Sequence, residues 1–256
     1  MQQILSPREY DFNAAGFCAL TVMTKAPRAG TVKTRLTPPL TQEEAAALNK
    51  CFLRDMTAAI SRVPAGARGI ACFTPADAEN DYRDILPAEF KLIAQRGGNL
   101  DERLICAMQD LFSIGFSAVC LIGSDSPTVP TAVFAKAVEI LSSPTERLVI
   151  GPSSDGGYYL IGLKQLHRRI FEGVNWSTDR VFAQTLQRAD ELHLDVCLLP
   201  SFYDVDDPAT LRRLCDELLG SRDLEREVPA PATRGFLREI IAREGRARIW
   251  PTNPKV

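Results

Sequence analysis

Short apolar runs rich in aliphatic and β-branched residues recur along the chain. They lie at Phe17–Met23, Gly69–Phe73, Phe90–Ile93, Ala118–Ile122, Leu148–Ile150 with Tyr158–Leu163, and Leu194–Leu199. Runs of this length bounded by turn residues read as buried strands. Between most of them the apolar residues fall three and four apart, the period of a helix. Thr41-Gln42-Glu43-Glu44 is a capping box, followed by Leu48, Phe52, Met56, Ile60 and Val63 at helical spacing. Asn99 with Glu102 caps a second helix carrying Leu104, Ile105, Met108 and Leu111. Pro130 and Thr131 open a third, through Val133, Val138 and Leu141. Ser177 or Thr178 opens a fourth, with Val181, Phe182 and Leu186. Pro208 stands in the first turn of a fifth, where proline is tolerated, ahead of Leu211, Leu214 and Leu218.

Alternation of strand and helix predicts parallel βαβ units, hence an α/β fold with a mostly parallel central sheet. It is cleanest over the first 150 residues. The expected organisation is a short, frayed extension at 1–16, one domain over 17–220, and a linker with a C-terminal helix at 221–256. The linker is the charge- and proline-rich Ser221–Ala232, and the helix is the amphipathic stretch with Phe236, Leu237, Ile240 and Ile241. No internal repeat is evident.

Three polar segments follow three of the apolar runs: Lys25 to Leu36, Gly123-Ser124-Asp125-Ser126-Pro127, and Gly151 to Tyr158. In an open α/β sheet ligands bind outside the carboxyl ends of the strands, so parallel strands would gather all three segments at one edge. The first is not a Walker A loop, because Val32 rather than glycine precedes Lys33. A G-x-G-x-x-G pattern is also missing. Its cations Lys25, Arg28, Lys33 and Arg35 suit phosphate groups; the alternative is a solvated basic loop. Asp125 fits either a Mg²⁺ ligand or a helix cap. Asp204-Val205-Asp206-Asp207 holds more carboxylates than one cap needs. Asp155-Gly156-Gly157 is either a plain hairpin turn or a loop whose backbone meets substrate. Gln95, Gly97, Gly98 and Asn99 either cap a helix or border a nucleobase.

Composition narrows the class. The chain has 256 residues, 45% of them apolar, and a net charge of −2, so a large core is available and no basic field draws nucleic acid. Seven cysteines form no C-x-x-C pair, and two histidines supply no zinc spacing. The cysteines therefore read as small buried hydrophobes of a reducing, cytoplasmic setting. No run of 18 apolar residues predicts a membrane span, and Met1–Ala15 has no apolar signal core. The oligomeric state stays open, with a homodimer among the options.

Taken in order, Lys25-Ala26-Pro27, Gly30, Lys33-Thr34-Arg35-Leu36, Gly123 to Pro127, Gly151-Pro152, Asp155 to Leu160, Trp176-Ser177-Thr178 and Asp204-Val205-Asp206 resemble one family. It is the DUF2064 family, also called rSAM/selenodomain-associated transferase 1, within the nucleotide-diphospho-sugar transferase superfamily. Thr233 to Leu237 resembles a late segment of it, while Asp101 departs from the glycine usual there. The resemblance implies a three-layer α/β/α fold of GT-A type and kinship with 2-phospholactate guanylyltransferases. It also implies Mg²⁺ or Mn²⁺ held at the positions of Asp125 and Asp206. The expected activity is nucleotidyl transfer from an NTP to a small phosphorylated acceptor. Lys25, Lys33 and Arg35 would act on the phosphates, Gln95, Gly97, Gly98 and Asn99 on the nucleoside, and Asp155, Gly156 and Gly157 on the acceptor. Glycosyl transfer from a nucleoside-diphosphate sugar, and non-catalytic nucleotide binding, are the alternatives.

Overall fold

The computed structural model describes residues 2–220 and 229–250. Among them seven strands form one sheet: β1 (Cys18–Lys25), β2 (Ala67–Thr74), β3 (Lys91–Ala94), β4 (Ala118–Gly123), β5 (Arg147–Pro152), β6 (Tyr158–Leu163) and β7 (Asp195–Leu198). Their order is β3-β2-β1-β4-β6-β5-β7. Only β6 runs against its neighbours β4 and β5, so β1, β4 and β5 all end at one edge.

Among the described residues six α-helices accompany the sheet: α1 (Gln42–Ser61), α2 (Leu100–Ile114), α3 (Thr131–Ser142), α4 (Val181–Glu191), α5 (Pro208–Gly220) and α6 (Pro231–Glu244). The strands' period of two divides their side chains between two cores. Leu20, Val22, Cys120 and Ile122 pack with Met56 and Ile60 of α1 and Phe134 and Leu141 of α3. Ala19, Val119 and Leu121 face the other way, onto Met108 and Leu111 of α2 and Ala189 of α4. The result is the expected three-layer α/β/α arrangement with a mostly parallel sheet. A third cluster joins the outer side of α1 to α5 and α6 through Leu48, Phe52, Leu211, Leu214 and Leu237.

Three elements differ from the sequence reading. The fourth helix begins at Val181, because Ser177 takes a positive φ of 62° and the Thr178 hydroxyl donates to Asn175 O, forming a turn first. The expected linker ends early: α6 starts at Pro231, its N-terminus held by buried Asp55 of α1, which accepts from the Ala232 and Thr233 amides at 2.8 Å each. The rest of that linker, 221–228, lies outside the described residues. The extension is docked rather than loose. Leu5 N donates to Leu92 O, Leu92 N donates to Gln3 O, and Leu5 and Ala14 are buried.

Candidate functional site

The loop after β1 returns toward the sheet at Lys33, a non-glycine residue with φ 50°. Such backbone is uncommon outside glycine and is held in place by its surroundings. Here the hold is the side chain. Lys33 Nζ lies 2.5 Å from Asp125 Oδ1 and 3.0 Å from Asp206 Oδ1, and donates to Val205 O at 2.8 Å. It also sits 5.3 Å from the centre of the Phe52 ring. The lysine side chain is 4% exposed, while the two carboxylates are 36% and 38% exposed. Burial by itself would lower the Lys33 pKa, but the charges and hydrogen bonds of Asp125 and Asp206 outweigh it and hold the ammonium protonated.

Two loops are locked together here. Val205 N donates to Asp125 O at 2.9 Å. Asp204 accepts from Ser126 Oγ, beyond β4, and from Ser153 Oγ, beyond β5. Burial pushes its carboxyl up to about 6, the Asp125 and Asp155 charges adding and the two hydroxyls opposing. Asp207 instead caps α5, accepting from Thr210 N at 2.8 Å, and that bond lowers its pKa. The acidic run thus divides three ways: Asp204 ties loops, Asp206 faces Lys33, and Asp207 caps a helix.

Around this cluster lie two joined recesses. The smaller, of about 240 Å³, is lined by exposed Lys25 and Arg35 with Lys33, Asn49, Asp125 and Asp206. The larger, of about 570 Å³, shares Arg35, Ser124, Asp125 and Asp206 and continues over Asp155, Gly157 and Trp176. Volumes of this order hold one small molecule. Gly156 (φ 90°) brings the hairpin so close to the next loop that a Cβ would stand 2.2 Å from Asp179 O.

Gln95, Gly97, Gly98 and Asn99 line neither recess. The Gln95 amide donates to Thr24 O and Cys72 O, at 3.1 and 2.8 Å. Gly98 N donates to Glu102, Asn99 caps α2, and the Gly97 carbonyl accepts from Arg103. Arg28 leaves the cationic group altogether, pairing with Asp81 at 2.6 Å. Sequence reading passed over Asn49, a helical residue 3% exposed whose Oδ1 is buried without a partner. The signal was an amide beside Leu48 on the apolar stripe of α1. Trp176 entered only as part of the family resemblance, without a role, and Asp179 and the tie made by Asp204 were passed over, since they act through loop contacts that sequence spacing does not show.

Residues 57–178 match the family described as "Uncharacterized protein conserved in bacteria (DUF2064)". A proposed nucleotide-diphospho-sugar transferase from Desulfovibrio desulfuricans G20 is 32% identical, covering 90% of this chain and 98% of its own, with a TM-score of 0.78. The chain belongs to the DUF2064 family. A cytidylyltransferase from Leptospira borgpetersenii serovar Hardjo-bovis (strain JB197) shares the fold at 8% identity, covering 94% of this chain and 100% of its own, with a TM-score of 0.50. No curated protein matches. The DUF2064 chain therefore has the fold of nucleotide-using transferases. Among the described residues no helix is long and apolar enough to cross a membrane, and no group of three or more His, Cys, Asp or Glu is gathered to hold a metal.

Proposed function

We propose that this protein is a metal-dependent nucleotidyltransferase that binds an NTP with its phosphates in the smaller recess and a small acceptor in the larger one. The observation that carries this reading is the meeting of Lys33, Asp125 and Asp206 at one point, beside Lys25 and Arg35. Asp125 and Asp206 fit a divalent cation: beside their bonds to Lys33 both carboxylates stay more than a third exposed and line the smaller recess, and hard cations take carboxylate oxygens completed by phosphate and water. Bound there, Mg²⁺ or Mn²⁺ would supply neutralisation of phosphate charge.

The chain's own residues do the rest by position and charge. Lys25 and Arg35 oppose the charge of the phosphate tail, and Lys33 holds the two acidic loops at fixed spacing. The Asn49 amide offers a partner to a ligand at the floor of the recess. Asp155, Gly156 and Gly157 border the acceptor. The turn of Gln95, Gly97, Gly98 and Asn99 stands beyond β3, two strands from β1, and would meet only the far end of the nucleoside.

Glycosyl transfer from a nucleoside-diphosphate sugar is the second reading, favoured by the 32% likeness to a proposed nucleotide-diphospho-sugar transferase. Incubation with each NTP or nucleotide sugar, Mg²⁺ and an acceptor pool separates the two. Pyrophosphate release is the expected result. Nucleoside-diphosphate release would move the assignment to the second reading, and absence of nucleotide binding would overturn both.

A further inference from the structure

The sequence reading sets Lys33 on the phosphates, yet its ammonium has no donor to spare. An ammonium carries three N–H donors and no acceptor. Three oxygens take them: Asp125 Oδ1 at 2.5 Å, Val205 O at 2.8 Å and Asp206 Oδ1 at 3.0 Å. The side chain is 4% exposed, so almost none of it meets the recess it lines. Lys25 and Arg35 border the same recess and are exposed. The backbone takes part as well. Lys33 is not glycine, yet its φ is 50°, a conformation that persists where surrounding contacts hold it. Release of the ammonium would therefore free the loop backbone too.

Asp125 and Asp206 are also the carboxylates that fit a divalent cation. Lys33 and such a cation compete for them, because each Oδ1 already faces the ammonium and two positive centres a few ångströms apart repel. Phosphate changes that balance. It offers the ammonium another anionic acceptor, and it offers the cation further oxygens.

We propose that Lys33 is a resident counter-ion of the Asp125–Asp206 pair, withholding those carboxylates from a divalent cation until a phosphate-bearing ligand takes over its ammonium. The inference rests on the proposed function in taking this pair as the cation site, and adds how that site is regulated. Cation and phosphate then bind together, each raising the affinity for the other. Lys25 and Arg35 make the first contact with phosphate, and Lys33 joins them only once its place between the acidic loops is taken.

Titration with Mn²⁺ alone, followed by the electron spin resonance of the unbound ion, reads the competition without turnover. Lys33→Met removes the charge at similar length, and Lys33→Gln does so while keeping a donor for Val205 O. Either variant that circular dichroism shows to be folded should bind Mn²⁺ about tenfold more tightly than wild type. Lys33→Arg, which keeps the charge, should gain nothing. The gain should vanish when Asp125→Asn is added to Lys33→Met. Equal affinity of wild type and the neutral variants overturns the proposal, as does a gain shared by Lys33→Arg or one that survives the loss of Asp125. Wild type is a test in itself, since saturation by micromolar Mn²⁺ with no phosphate present also overturns it. Calorimetric titration with an NTP, in Mg²⁺ and in EDTA, is run alongside. Absence of NTP binding would sink the proposed function and leave the Mn²⁺ comparison standing. NTP binding with no Mn²⁺ taken up by any variant would sink the counter-ion and keep the nucleotide.

Discussion

Asn49 occupies a position on α1 where its neighbours Leu48, Phe52 and Leu53 are fully buried. A buried amide oxygen without a partner costs about 1–3 kcal/mol. Replacing it with leucine removes that cost at similar volume. Asn49→Leu should therefore unfold at the same temperature as wild type or higher, yet bind a nucleotide about tenfold more weakly, because the amide oxygen accepts from a ligand hydroxyl or amino group. Loss of thermal stability with unchanged affinity would make Asn49 a packing residue. Asp204 offers a pH test. Folding raises its carboxyl to about 6, whereas an unfolded aspartate titrates near 3.9. Between these values the folded state binds more protons, so stability falls as pH rises through the window and the loss is complete above it. Asp204→Asn should gain about 1–3 kcal/mol relative to wild type between pH 4 and pH 7, measured by urea unfolding in EDTA. A difference independent of pH would contradict the assignment. At this scale Lys33, Asp125 and Asp206 were legible, because cations and acids after apolar runs are conspicuous. The Asp204 tie was not, since an acid among acids does not reveal which loops it joins.

Helix starts show what local sequence can and cannot specify. The capping box at Thr41 and Glu44 and the Asn99 cap of α2 form as their residues predict, because both partners lie within three positions. The start of α4 depends on a local turn that spacing does not reveal, and the start of α6 on a partner far away in the chain. Asp55 is 177 residues from the amide it caps at Ala232. The hairpin between β5 and β6 has a similar dependence. Asp-Gly-Gly announces a turn, but not that Gly156 packs against Asp179. Gly156→Ala would set a Cβ 2.2 Å from a carbonyl oxygen at a φ of 90°. It should lower stability by about 1–3 kcal/mol and part Asp155 from Asp179. Thermal unfolding tests this. An unchanged melting temperature would show that the two loops are not coupled.

For the whole molecule, the order β3-β2-β1-β4-β6-β5-β7 is what turns scattered motifs into a site. Alternating strands and helices predicted the parallel sheet and the shared edge. They did not predict that β6 would run between β4 and β5, because a hairpin and a crossover both follow an apolar run. The C-terminal α6 likewise completes the core on α1 rather than adding to the cleft. The central claim is that the cationic loop after β1 holds the phosphates of a nucleotide. Calorimetric titration of wild type, Lys25→Ala and Arg35→Ala with a Mg–NTP and with its nucleoside tests it most directly, since both residues are exposed and their loss leaves the core intact. Each variant should lose about tenfold in triphosphate affinity, the size of one charge-assisted contact, with nucleoside affinity unchanged. An unchanged ratio of triphosphate to nucleoside affinity in both variants would contradict the account.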